Sequence, residues 1–493
     1  MPEPILLHSA DDVVILTQKE GSIAAGHKLA RHAIATGAPI RKFGQIIGYA
    51  SEDIAQGQHV HSHNCTIGAH DRAYEIGVDL EAAKRAVSAK EALSFQGYQR
   101  PDGQIGTRNY IALCATVNCS ATVIRQAAEE IRASGILAQY PNVDGVFALA
   151  HGTGCGMASE GAGWENLQRV LWGYATHPNV GGAIFVGLGC EVMQVARMKA
   201  MFQGSGQERF HGLTIQDSGG TRATIDAISE KVLALLPQVN DNRRTTCPAS
   251  GLSVALQCGG SDGYSGITAN PALGAAADIL VGQGGAVILS ETPEIYGAEQ
   301  LLLRRAANKE TAEKLIERIR WWEDYTAMNG GSMDNNPSPG NKAGGLTTIL
   351  EKSLGAASKG GSTPLNDVLS YGEKITQRGL VFMDTPGYDP VSVTGQIAGG
   401  AQVVVFTTGR GSAFGSKPAP TVKLATNDLL FSTMRDDMDL NCGDIVSAAV
   451  TIEQKGAEIL EMILAVASGA PTKSEALGLG DHEILPWQIG AVM

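Results

Sequence analysis

Aromatic residues are scarce, 5% of the chain, and the 38 lysines and arginines are outnumbered by 50 acids. The resulting formal charge of −12 argues against nucleic acid as a partner, because phosphate binding needs clustered cations. An anionic substrate must then meet positive charge local to its pocket, so single arginines carry more weight than the total. Also missing is any run approaching the roughly 20 apolar residues of a membrane span. The opening MPEPILLHSADDVV has no basic segment leading into an apolar one. A cytoplasmic protein with no membrane partner is expected. Cysteine is sparse too, eight in 493 residues, far too few for a disulfide scaffold. In a reducing compartment such thiols are buried fillers, metal ligands or nucleophiles, and their positions decide.

Glycine is abundant, at 61 residues, and points to tight turns and close backbone approaches. The length implies two to four units at roughly 100–200 residues each. Residues 1–72 alternate short apolar runs with turn signals and read as a small β-rich unit. Residues 73–97, charged and poor in strand formers, read as a linker, with a solvent-exposed helix equally compatible. After Gly97 come buried strands that each end in a small-residue loop: YIALCATVNCSATV, GVFALAHGTGCGM, GAIFVGLGCEVM, SVALQCGGSDGYSG, AVILSETPEI and VVVFTTGRGSAFG. Continuous apolar runs of this kind suit parallel strands covered on both faces. They divide into α/β units at 98–245 and 246–493. In open α/β sheets ligands sit at the carboxyl ends of the strands, so the chemistry is expected in those loops. A helix is expected over 304–328, followed by an Asn-, Pro- and Gly-rich loop, 329–345, of the length that often forms a lid.

Three sets of residues are candidates for chemistry. In GQHVHSHN, strand alternation puts His59, His61 and His63 on one face at a spacing of roughly 6–7 Å, so that neighbours can grip one cation. Cys119, Cys155, Cys190 and Cys258 each stand where a strand runs into a loop, and converging thiolates there can bind iron or an iron–sulfur cluster. Cys65, Cys114, Cys247 and Cys442 have weaker claims. The third set borders the same loops: Arg108, Asn109, His151, Glu191, Asp262, Lys342 and Arg410. A small anionic substrate needs a bidentate cation for its carboxylate and hydrogen-bond partners for its other polar groups; Arg108 and Arg410 suit the first need. No glycine loop has the G-x-G-x-x-G context of a dinucleotide fold, and neither a Walker loop nor a G-x-S-x-G elbow occurs.

The strings GYQRPDGQIGTRNYIALCATVNCSATV, HGTGCGM, GLGCE, TCPASGLSVALQCGGSDGYSGITANPALG, NPSPGNKAGGL and VFTTGRG resemble the altronate/galactarate dehydratase family, which also includes sulfolactate sulfo-lyase. The likeness runs over essentially the whole chain. GHKLA and KFGQIIGYA look like that family's small module, related to the antifreeze-protein-like (SAF) fold. The fold class implied is α/β: a small N-terminal SAF-type β-rich module, then a large multi-lobed α/β region with mainly parallel strands.

The resemblance implies an Fe²⁺-stimulated hydro-lyase of sugar-acid catabolism. HVHSHN and GSKPAP look like the altronate branch, hence an altronate-type hexonate converted to a 2-keto-3-deoxy acid. A galactarate-type aldarate dehydratase, a sulfo-lyase, or a non-catalytic sugar-acid sensor on the same fold are the alternatives, and a homo-oligomer is left open. Mn²⁺ or a cysteine-ligated iron–sulfur cluster are the other cofactors considered. Two iron arrangements are expected in competition. In one, His61 and His63 hold a single ion; in the other, Cys119, Cys190 and Cys258 hold a cluster and the histidines do acid–base work. His61, His63 and His151 are the candidates for ligand, base or acid, with Arg108 and Arg410 on the carboxylate.

Overall fold

The computed structural model describes residues 3–68, 74–87, 91–200 and 209–490. The N-terminal module is built from β1 (Val13–Ile15), β2 (Lys28–Ala30), β3 (Pro39–Lys42), β4 (Gln45–Ala50), β5 (His59–Val60) and β6 (Cys65–Thr66). They form two small antiparallel sheets, ordered β1-β2-β5 and β3-β4-β6. So few residues cannot enclose a large core alone. The module instead merges Ile34, Ile40, Ile47, Ile54 and Val60 with the apolar interior of the large region.

The stretch 73–97, expected as a linker, carries a helix over Leu80–Ala86 and the first part of β7 (Ser94–Gln99); positions 73 and 88–90 lie outside the described residues. β7 pairs antiparallel with β8 (Ile105–Gly106) and, across a long sequence separation, with β13 (Arg244–Pro248). Residues 94–97 are therefore sheet, and the ladder ties together the segments flanking the middle unit.

That middle unit is a four-stranded parallel sheet ordered β10-β9-β11-β12, from β9 (Tyr110–Ala115), β10 (Gly145–Leu149), β11 (Val180–Gly187) and β12 (Phe210–Thr214). The last unit is a seven-stranded parallel sheet ordered β16-β17-β15-β14-β18-β19-β20. Its strands are β14 (Ser253–Cys258), β15 (Ala286–Leu289), β16 (Leu365–Leu369), β17 (Gly379–Met383), β18 (Val403–Thr408), β19 (Thr421–Ala425) and β20 (Leu440–Asn441).

Strand alternation explains why these runs are apolar throughout. Val254, Leu256, Val403 and Val405 face the helices Ala269–Gly282 and Ile452–Ala467. Ala255, Val404 and Phe406 face the opposite core, shared with the helices Ala162–Ala175 and Asp389–Ala398 and with the inner side of the middle sheet. With both faces covered there is no solvent side to encode, as parallel sheets require. The expected helix over 304–328 is present as Lys309–Met328, capped by the Asn308 side chain accepting from the Thr311 amide. No helix among the described residues is long and apolar enough to cross a membrane.

Candidate active site

The antiparallel pairing of β2 with β5 sets Leu29 opposite His59 and Lys28 opposite Val60. His27 directly precedes β2 and His61 directly follows β5, and their rings face each other just beyond that two-pair ladder. The rings of His27, His59 and His61 consequently meet, with centroids 5.1–5.2 Å apart, and one nitrogen from each lies within 4.8 Å of the others. His27 and His59 share a Nδ1···Nε2 hydrogen bond of 3.0 Å, while His61 Nδ1 is buried with no partner among the described residues. Burial first, and then neighbouring positive charge from His27 and Lys28, lowers His59 and His61 to about 4. Near neutral pH both rings are therefore uncharged, with lone pairs available to a cation. His63, the third histidine expected from the sequence, stands outside this trio: its exposed ring lies 5.6 Å from His59 and 6.5 Å from His61.

The module is pressed onto the strand ends of the large sheet. A Cβ on Gly263 would meet the Gly26 carbonyl oxygen at 2.1 Å, so the two backbones touch where only glycine fits. Two buried lysines of the module complete the joint. Lys28 Nζ lies 2.8 Å and Lys42 Nζ 2.9 Å from the buried Glu351 carboxylate, which also accepts from the amide and hydroxyl of Thr347. Burial alone would raise Glu351; the two ammonium groups overcome it and hold the carboxyl well below the usual range.

Ala24, Ala25, Ala343 and Gly344 border an open cleft of about 550 Å³, lined also by Asp262, Tyr264, Arg410, Asn427 and Asp428, and the His27 ring reaches the Ala343 carbonyl at its edge, with Nε2 3.3 Å from the oxygen. Among the described residues Arg410 is the one cation in its lining, and it is exposed. Asp262 is spent on its own loop, accepting from the amides of Tyr264 and Ser265 and from the side chains of Ser265, Thr426 and Asn427. The long loop 329–345 supplies Ala343 and Gly344 to the cleft wall. It is pinned by Asn341 Nδ2 donating to the Ser261 carbonyl and by Lys352 donating to Asn336 Oδ1.

Behind the cleft, at the ends of β14 and β15, lies a second buried polar group. Cys258 Sγ accepts from Lys359 Nζ at 2.9 Å, Lys359 pairs with Glu291, and Lys352 pairs with Glu294 at 2.7 Å. Ligand atoms of Cys258, Glu291 and Glu294 also fall within 4.8 Å of one another. Burial, then the charge of Glu294, raises Glu291 well above the carboxylate range. The same causes lift Asp389 to about 7, and burial pushes the Cys258 thiol up to about 12. Glu291 also has a left-handed backbone, φ +70°, a conformation that costs a non-glycine residue about 1–3 kcal/mol and tends to mark functional loops.

Three family models tile the chain. The altronate/galactarate dehydratase SAF domain covers residues 7–67, the D-galactarate dehydratase/altronate hydrolase second domain 97–240, and the D-galactarate/altronate dehydratase C-terminal domain 249–492. The chain belongs to the altronate/galactarate dehydratase family. Altronate dehydratase of Bacillus subtilis (strain 168) is 37% identical over 453 residues, 91% of this chain and 88% of its own length. Galactarate dehydratase (L-threo-forming) of Escherichia coli (strain K12) is 36% identical over 497 residues, 96% and 95% of the two chains. The (2R)-sulfolactate sulfo-lyase subunit beta of Chromohalobacter salexigens is 32% identical over 391 residues, 78% of this chain and 95% of the subunit. This member of the family is a sugar-acid dehydratase, a carbon–oxygen lyase.

Within that framework the residues expected from the sequence separate into groups. His59, His61 and Arg410 lie at the junction of module and large sheet. Arg108 does not belong with them: its guanidinium is 3% exposed, bidentate to Glu475 and donating to the carbonyls of Thr107, Val466 and Ala470. With its donors so committed it is a scaffold arginine, and the substrate role expected for it is corrected. His151 is likewise corrected. It is buried and lowered to about 4 by that burial, with Nε2 on the Ala115 carbonyl and Nδ1 accepting from the Thr153 amide. Both nitrogens are taken, leaving none for substrate.

The expected grouping of Cys119, Cys190 and Cys258 is split as well. Cys258 is enclosed by Lys359 and Glu294 at the end of β14, whereas Cys119, Cys155 and Cys190 are exposed on loops of the middle sheet. Sequence reasoning missed His27, Glu291, Glu294, Lys352 and Lys359. The signals were GHK ahead of a short strand, SETPE after one, and the lysines in TTILEKSLGAASKGG.

Proposed function

We propose that this chain dehydrates an altronate-type hexonate to the 2-keto-3-deoxy acid, with ferrous iron held by His27, His59 and His61. The single observation that carries the substrate choice is the cleft's charge. Among the described residues Arg410 is its one lining cation, against Asp262 and Asp428, which matches a ligand with one carboxylate. A dicarboxylic aldarate would bring a second negative end toward acidic neighbours, at a Coulombic cost. The donor set fits the ion: uncharged imidazoles suit first-row divalent metals, and His61 Nδ1 is a buried nitrogen that otherwise lacks a partner. When bound, the ion supplies Lewis-acid charge to a carboxylate and its neighbouring hydroxyl, making the C2 proton more acidic.

The chain's own residues do the rest. Arg410 grips the carboxylate in a bidentate pair and fixes its orientation. His63, the imidazole left outside the trio, takes the C2 proton as general base. The C–H electron pair becomes the C2=C3 double bond as the C3–O bond breaks, and protonated His63 returns the proton to the departing hydroxyl, releasing water. The enol then tautomerises to the 2-keto acid, so atoms and charge balance without a redox partner.

The test is a panel of hexonates, aldarates and sulfolactate given to iron-loaded protein under reducing conditions, reading 2-keto acid and sulfite. A hexonate is expected to turn over fastest, with no sulfite from sulfolactate. Faster turnover of an aldarate overturns the substrate assignment, and sulfite release favours a sulfo-lyase. Tight binding with neither product makes the protein a sugar-acid sensor.

A further inference from the structure

Five of the eight cysteines are buried, as thiols in protein interiors usually are; the three exposed ones, Cys119, Cys155 and Cys190, all stand at one end of the middle sheet. They follow the carboxyl ends of β9, β10 and β11, which are adjacent strands in the order β10-β9-β11. Their loops are laced together. The Asn118 amide donates to the Thr153 carbonyl at 2.9 Å and the Val192 amide to the Gly154 carbonyl at 3.1 Å. Each cysteine is thus within two residues of a hydrogen bond that joins its loop to a neighbour.

Buried polar groups are committed to holding this arrangement. His151 fixes the start of the Cys155 loop between Ala115 and Thr153, and Asn118 Nδ2 donates to the His151 carbonyl. Glu191, 3% exposed, accepts from Thr116 Oγ1 and from the Gly189 amide, and so holds the Cys190 loop against the end of β9. Gly154 has φ +99°, and a Cβ there would meet the Thr116 carbonyl oxygen at 2.2 Å, so the Cys155 loop is drawn in against the Cys119 loop. Cys119 also directly precedes the helix Ala121–Ala133, whose N-terminal end favours negative charge.

We propose that Cys119, Cys155 and Cys190 hold an iron–sulfur cluster, with one iron left free of protein thiolate, at a site distinct from the His27–His59–His61 trio. Two features of the site point to this ligand class. An odd number of thiols cannot be consumed in disulfides. The amides of Cys155, Gly156 and Cys190 donate to no backbone carbonyl among the described residues, and cluster sulfurs are acceptors that such amides stabilise. The site is independent of the substrate reading above: it stands or falls whatever acid the enzyme takes.

The experiment uses the full chain, purified anaerobically and treated with ferric iron, sulfide and dithiothreitol. Iron, zinc and acid-labile sulfide are measured after desalting, with visible absorbance and electron paramagnetic resonance after dithionite reduction. The expected result is retained sulfide and a broad visible band in the parent, both falling to background in C119S, C155S and C190S and unchanged in C442S. Circular dichroism of the serine variants confirms that they remain folded. His59→Ala should keep its sulfide while losing the iron bound without sulfide, which separates failure of this site from failure of the histidine site. The proposal is overturned if the parent retains no sulfide, if it takes up only zinc at these cysteines, or if the triple serine variant keeps the chromophore.

Discussion

Replacing Glu351 by glutamine should undo the joint between the module and the large sheet. The carboxylate faces two ammonium groups, Lys28 at 2.8 Å and Lys42 at 2.9 Å, with all three side chains 2% exposed or less. Glutamine keeps the shape but removes the counter-charge and turns an N–H₂ toward the lysines. Removing one partner of a buried ion pair costs about 3–5 kcal/mol, because the remaining charge stays buried and unpaired. At roughly 1.4 kcal/mol per factor of ten, opening of the module should become more frequent by about two to three and a half orders of magnitude.

The pH dependence gives the argument a sign. Glu351 has a depressed folded-state pKa, so its contribution is complete above the unfolded carboxyl value of about 4.3 and is lost as pH falls through the lower folded value. Burial already lowers Lys28, and without Glu351 the lowering deepens. A base depressed on folding destabilises below its folded pKa, and the loss is relieved as pH rises toward the unfolded lysine value of about 10.4. The E351Q deficit should therefore be largest near neutrality and shrink in alkaline buffer. Limited proteolysis that reads release of the module, alongside urea unfolding, measures both effects. An unchanged release rate, or a deficit that grows with pH, would refute the charge-pairing argument.

Each of H27A, H59A and H61A should lower ferrous iron retained after anaerobic desalting, whereas H63A should keep the iron and lose kcat; metal analysis beside steady-state kinetics tells these apart. Arg410→Gln should lower kcat/KM for the hexonate by roughly tenfold to a hundredfold, the worth of a charged hydrogen bond at about 1.5–3 kcal/mol, and an unchanged value would remove Arg410 from the site. Arg108→Ala should unfold about 3–5 kcal/mol more easily, since it strands Glu475 at a partly buried position, while the KM of the protein that stays folded is unchanged.

The parallel-sheet plan was legible because burial on both faces writes itself into sequence as unbroken apolar runs, and SVALQC and VVVFTT became neighbouring strands β14 and β18. Arg108 and His151 show where the same reasoning fails. Position near a strand end says that a polar side chain is in the right layer, but not whether the backbone has already claimed its donors. Arg108 answers to carbonyls more than 350 residues away, and no local pattern encodes that. The cysteines divide for a related reason: Cys119, Cys155, Cys190 and Cys258 share a local signature, yet two different sheets end beneath them.

His27 is the instructive omission. HVHSHN announced itself because alternation in an extended strand would put three imidazoles on one face, although β5 covers only His59–Val60 and His61 and His63 stand in the bend and turn after it. The ligand that completes the trio directly precedes the neighbouring strand β2, and the pairing of Leu29 with His59 carries it there. A shift of that register by one residue would turn the side chains of β2 to the other face, taking Lys28 from Glu351 and His27 from His61 together. The ion pair and the imidazole trio are thus two readouts of a single register, and a lesion that loosens Lys28 is expected to weaken iron retention even though no ligand has been changed.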